Sequence, residues 1–175
     1  MKYFKKLEGE RIYLSPMNPE DAELYTKWLN NPNITKYLST HNSLVSLNGE
    51  REYLEEFSKH EFCLAIIKKD NDELLGNVAI EDIDYKDGTA ELGIFIGEES
   101  NLSKGYGSEA IKLLTNYAFK ELRLHTIMLR TLDINERAQR AYEKCGFKEY
   151  GRRHESRFID GKYHDMVYME LINKE

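Results

Sequence analysis

Residues 91–110 read Glu91-Leu92-Gly93-Ile94-Phe95-Ile96-Gly97-Glu98-Glu99-Ser100-Asn101-Leu102-Ser103-Lys104-Gly105-Tyr106-Gly107-Ser108-Glu109-Ala110. The first seven suit a strand. Glu98 to Lys104 is polar, and a helical pattern begins at Gly105, its apolar face running Ala110, Ile111, Leu114, Tyr117, Ala118, Leu122. Gly105 and Gly107 let backbone amides approach a ligand without side chains in the way. The helix start adds free N–H groups and the positive end of a dipole, which together make an anion site for a phosphate or pyrophosphate. Lys104 adds a cation. The bland alternative is a glycine-rich turn that binds nothing. A Walker A loop is absent, whereas Gly105-x-Gly107-x-x-Ala110 matches the dinucleotide fingerprint. Three features oppose a Rossmann unit: the long polar connection, the lack of an acidic residue about 20 residues on, and too little chain for a second set of parallel strands.

Upstream, Arg11 to Ser15 predicts a short strand, and Asn18-Pro19 opens a helix bearing Ala22, Tyr25, Trp28 and Leu29. A short helix is expected near 34–38 and another over 48–59. Residues 61–69, 73–82 and 89–97 predict an antiparallel meander. Downstream, 126–132 predicts a strand and 133–145 a helix with Ala138, Ala141, Tyr142 and Cys145 on one stripe. Gly146 suits the helix stop. Residues 147–159 and 162–171 predict a hairpin about Asp160-Gly161. The order describes an α+β (mixed α/β) fold in one domain over 1–175: a central, mostly antiparallel mixed sheet flanked by helices.

The 175 residues are 41% hydrophobic and 32% charged, which suits a folded globular chain rather than a disordered one. The net charge of −6 argues against phosphate-backbone binding of nucleic acid and favours a cationic small molecule. Two cysteines and five scattered histidines offer no metal spacing, so no metal is expected. No apolar run is long enough for a membrane span, and no signal peptide is read at the start. A cytoplasmic protein, monomer or homodimer, is the expectation.

The segment 91–110 resembles the acetyl-CoA motif of the GNAT (Gcn5-related N-acetyltransferase) superfamily. Asn135 to Phe147 is similar to the second GNAT motif. With Arg11-Ile12-Tyr13-Leu14 and Asp160-Gly161-Lys162-Tyr163-His164-Asp165, the chain most resembles the branch of ribosomal-protein and polyamine N-acetyltransferases. Leu102 departs from the family's usual Arg or Gln, which removes a side-chain contact there and leaves the backbone amides of 103–108.

The resemblance implies attack of a neutral amine on the thioester of acetyl-CoA. The acceptor would be a small amine such as a polyamine or amino sugar, or a peptide N-terminus. Free alkyl amines are mostly protonated at neutral pH. A site must therefore remove a proton, align the nucleophile, stabilise the thioester oxygen and protonate the departing thiolate. The resemblance places Ile94, Phe95 and Ile96 beside pantetheine and thioester, on a strand expected to kink so that its amides are free. It places Ser103, Lys104, Gly105, Tyr106, Gly107 and Ser108 at the pyrophosphate. Asn135 and Ala138 would meet pantetheine, and Tyr142 would be the acid. Glu91 heads the candidate bases, ahead of Glu81, Asp82 and Asp133. Asn135 could equally be a helix cap and Tyr142 a core residue. The competing reading is a non-catalytic acyl-CoA or nucleotide sensor, which would not need Tyr142.

Overall fold

The computed structural model describes residues 2–60 and 62–174. Eight strands share one sheet: β1 (Leu7–Glu8), β2 (Ile12–Pro16), β3 (Cys63–Lys68), β4 (Leu74–Asp84), β5 (Thr89–Ile96), β6 (Thr126–Leu132), β7 (Lys148–Ile159) and β8 (Lys162–Ile172). Their order is β1-β2-β3-β4-β5-β6-β8-β7, and among the described residues only β5 and β6 run parallel. The expected start of β3 at Glu61 lies outside the described residues.

Strand alternation sorts the core onto two faces. Ile12, Leu14, Leu64, Ile66, Leu92 and Val78 meet α4 (Tyr106–Lys120), through Ala110, Ile111, Leu114 and Ala118. Tyr142 and Cys145, at the end of α5 (Glu136–Lys144), pack on the same core. Tyr13, Cys63, Ala65 and Ile67 face the other way, toward α1 (Ala22–Leu29) and α3 (Leu47–Phe57). Asn18 caps a 3-10 turn at Pro19–Asp21 that leads into α1, its side chain accepting from Glu20 N–H. Ser46 caps α3. Asn31 ends α1's connection and caps α2 (Pro32–Thr35), which therefore starts two residues before the expected short helix. Gly146, at φ +96, stops α5 in a backbone region that L side chains rarely adopt.

The expected kink in β5 is not there. The irregularities sit in β4, at a register shift between Ile66 and Ile67 of β3 and at another between Glu81 and Asp84, where Asp82 takes φ +49. β5 remains regularly paired with β4 from Glu91 to Ile96. Its amides are freed by a different device. The β5–β6 pairing covers only Thr89–Glu91 against Thr126–Met128, and the two strands then part.

At the end of β5, a Cβ on Gly97 would stand 2.0 Å from Trp28 Cδ2, inside the indole. Trp28 is buried and donates to Glu98 Oε1 at 2.9 Å. Gly97→Ala is therefore expected to lower unfolding stability by about 2–3 kcal/mol, as overpacking does. An unchanged urea midpoint would contradict this packing.

Glu50, one turn before Leu54 on α3, is 4% exposed, and its Oε1 has no hydrogen-bond partner among the described residues. Burial pushes its carboxyl up to about 7. A raised folded value means stability is fully present below the unfolded carboxylate range and is lost as pH rises through about 7. Comparing Glu50→Gln with wild type, the stability difference should shift toward the variant by about 2 kcal/mol between pH 5 and pH 8. Chemical denaturation at the two pH values measures it.

Candidate active site

The parted strands open into a cavity of about 820 Å³. Its walls include Ile94, Phe95 and Ile96 of β5, the loop residues Leu102, Ser103, Gly105, Gly107 and Ser108, and Asn135, Ala138 and Tyr142 at α5. Gly97 N–H donates to Leu75 O at 2.9 Å. Counting back by twos along the regular β4–β5 ladder puts the N–H groups of Phe95 and Gly93 on the β4 side. Those of Ile94 and Ile96 point into the gap left by β6.

The loop is shaped by Ser103 at φ +60 and Gly105 at φ +86 and leads directly into α4, with Gly105 as its cap residue. Arg11, from the start of β2, braces it. Its Nη1 donates to Lys104 O at 2.8 Å and its Nε to Glu109 Oε2 at 3.0 Å, and its guanidinium lies 5.1 Å from the Tyr106 ring centroid. Glu109 Oε1 accepts the backbone N–H of Arg11 at 2.8 Å. Burial acts to raise the Glu109 carboxyl, but these backbone and side-chain hydrogen bonds with Arg11 prevail and hold it below the usual range. Among the described residues, Arg11, Lys112, Arg137, Arg140 and Lys144 line the cavity against only Glu10 and Glu109. This is a basic concavity on an acidic chain, which fits a ligand with several phosphates.

Tyr142 lies in the cavity wall, with its ring 6.1 Å from that of Phe147. Burial, with a smaller contribution from Cys145, pushes its phenol up to about 12. It therefore stays protonated, a donor, at neutral pH. Asn135 does act as a cap: its Oδ1 accepts Ala138 N–H at 3.3 Å, which leaves Nδ2 for the cavity.

Three expected residues lie outside the wall. Lys104 contributes its carbonyl to Arg11, and Tyr106 packs beneath Arg11 and against the core. Glu91 is paired with Arg130 Nε at 2.9 Å. Sequence reading missed the brace of Arg11 and Glu109, 98 residues apart. It also missed the basic set 137, 140 and 144 on α5, which its i, i+3, i+7 spacing could have revealed. Ile34, Tyr37 and Leu38, from α2 and just after, also line the cavity.

An open mixed sheet flanked by helices, with a strand pair parted over an amide-lined loop at a helix start, defines an acyl-CoA-dependent acyltransferase fold. A family model described as an acetyltransferase (GNAT) domain matches residues 11–148, and the chain belongs to that family. It is an acetyl-CoA-dependent N-acetyltransferase that transfers acetyl groups to amines. The spermidine N(1)-acetyltransferase of Vibrio cholerae is 27% identical over 169 residues, 95% of this chain and 90% of that one. The crystal structure of the spermidine N-acetyltransferase from Vibrio cholerae, in complex with CoA and spermine, superposes with a TM-score of 0.82 at 26% identity. That match covers 94% of this chain and 96% of the other. RimL, a ribosomal L7/L12 α-N-protein acetyltransferase in complex with coenzyme A, shares the fold with a TM-score of 0.80 at 14% identity, over 94% of this chain and 95% of that one.

Proposed function

We propose that this chain, as a single domain in the cytoplasm, acetylates a small cationic amine, of which a polyamine is the leading class, with a protein N-terminus as the second. The observation that carries this reading is the parting of β5 from β6 directly beside the Ser103–Ser108 loop, inside one cavity. The loop amides and the basic residues of the wall hold the pyrophosphate and the further phosphate of acetyl-CoA. Ile94 and Ile96 N–H groups take the place of strand partners for the pantetheine amides, and Asn135 Nδ2 adds a donor or leaves its cap role undisturbed. Tyr142 donates a proton to the departing thiolate. The acidic charge balance of the chain and the spermidine acetyltransferase relatives favour a polycation as acceptor.

Release of free thiol from acetyl-CoA is measured with spermidine, glucosamine and short peptides bearing free N-termini. Turnover is expected to be fastest with spermidine. Preference for a peptide N-terminus would replace the polyamine, and stabilisation by acetyl-CoA without turnover of any amine would favour the sensor reading.

A further inference from the structure

We propose that the imidazole of His164, held by Asp133, accepts the proton that the acceptor ammonium must lose; the inference rests on acetyl transfer in the cavity described above. The β6–β8 register sets Arg130 beside Tyr168 and Leu132 beside Met166. The alternate residues, Leu129, Val167 and Met169, are buried on the α4 side. His164, two residues before Met166, therefore stands on the opposite face, the face shared by α1 and α3. On this proposal the acceptor enters from that side and passes His164 where β6 ends.

His164 itself does not line the cavity, but two contacts connect it to segments that carry lining residues. Its Nδ1 is 3.3 Å from Asp133 Oδ1, and Asp133 is two residues before Asn135 of the cavity wall. Its strand partner Arg157 donates to Ser39 O at 3.1 Å and lies 3.3 Å from His41 Nδ1, gripping the segment just after the wall residues Tyr37 and Leu38. Asp133 is itself fixed. Its Oδ1 accepts Ile134 N–H at 2.8 Å, its N–H donates to Asp165 O at 3.0 Å, and its carbonyl accepts from Gln139 Nε2 at 2.9 Å. A carboxylate facing Nδ1 favours the tautomer with its proton there, which leaves the Nε2 lone pair as the acceptor. With 16% of its side chain exposed, His164 is shielded yet reachable.

The charged groups around it are Asp133 from the β6–α5 connection and Arg157 from β7, with His41 beyond Arg157 and the Lys36–Asp160 pair at the hairpin tip. Asp165 points away, to His154 and Glu155 N–H.

In the step, R–NH3+ gives one proton to His164 Nε2 and becomes R–NH2. The nitrogen lone pair forms the N–C bond at the thioester carbonyl, and the C–S bond breaks. The nitrogen sheds a second proton and the thiolate gains one, so each turnover yields amide, thiol and one net proton, which leaves the imidazolium for water.

The test is the pH profile of kcat/KM for wild type, His164→Gln and Asp133→Asn, with spermidine, glucosamine and a dipeptide as acceptors. Wild-type kcat/KM should level off at a lower pH than that of either variant. Without the base only free amine reacts, so His164→Gln should fall by about 10²–10³-fold at pH 7, the gap closing about tenfold per pH unit toward the amine's own titration. Asp133→Asn keeps an acceptor for Ile134 N–H and, as a change to a positioning residue, should show a smaller loss with the same closing gap. It decides the matter if His164→Gln does not fold. A wild-type profile in the variants, or a loss equal at every pH, would overturn the assignment while leaving acetyl transfer in place. Failure of wild type to turn over any amine would overturn the acetyl-transfer reading and this inference with it.

Discussion

Tyr142→Phe is expected to lower kcat by roughly 10²–10⁴-fold, the usual contribution of a positioned general acid. The substitution removes one oxygen. The ring keeps its place against Phe147 and the core, so the fold should survive. The phenol, pushed up to about 12 by burial, carries its proton throughout the working pH range. Affinity for acetyl-CoA should therefore stay close to wild type, because the ground-state thioester needs no proton. Stopped-flow or steady-state kinetics under conditions where chemistry limits the rate, paired with calorimetric CoA binding, measure both. A folded variant with near-normal kcat would make Tyr142 a packing residue only.

Gly107→Val should weaken CoA binding by about 100-fold, equivalent to roughly 2.7 kcal/mol, while leaving the sheet intact. A Cβ at Gly107 would lie 3.5 Å from Ile94 Cδ1 and 3.8 Å from Ile96 Cγ1, ordinary contacts the protein can hold. A valine side chain occupies the space between the helix start and β5 that the pantetheine and pyrophosphate are proposed to share. Calorimetry with CoA, alongside a urea melt, separates lost binding from lost folding. A folded variant with wild-type affinity would remove the anion site from this loop.

Much of the fold was legible because the informative elements are long and periodic. β6 falls on 126–132 as its alternation requires, and Asp160-Gly161 makes the β7–β8 turn. The four residues of α2 are too few for a helical period, so only the cap Asn31 and Pro32 marked its start. The β4 irregularity at Asp82 was hidden because a positive φ on an aspartate leaves no local signature of the kind glycine gives.

The same division holds at the site. Ser103, Gly105, Gly107, Asn135 and Tyr142 come from compact local motifs, and all reach the cavity. Glu91 was read as the leading base, but its partner Arg130 depends on the β5–β6 register, which no local pattern carries. The Arg11–Glu109 brace and the Asp133–His164 contact also join distant segments. Glu50 was not singled out in the sequence, although it sits one turn before Leu54 on the same helix face and is buried with it.

The three-residue pairing of β5 with β6 leaves a bare strand edge in the middle of a sheet rather than at its rim. An edge with free amides is a template for any extended chain, and proteins ordinarily blunt such edges with charge, proline or a bulge. Ile94-Phe95-Ile96 carries none of these. Substrate would thus act as a missing strand, and the unliganded protein should be the more prone to self-association. Amide exchange at Ile94 and Ile96 should slow on CoA binding.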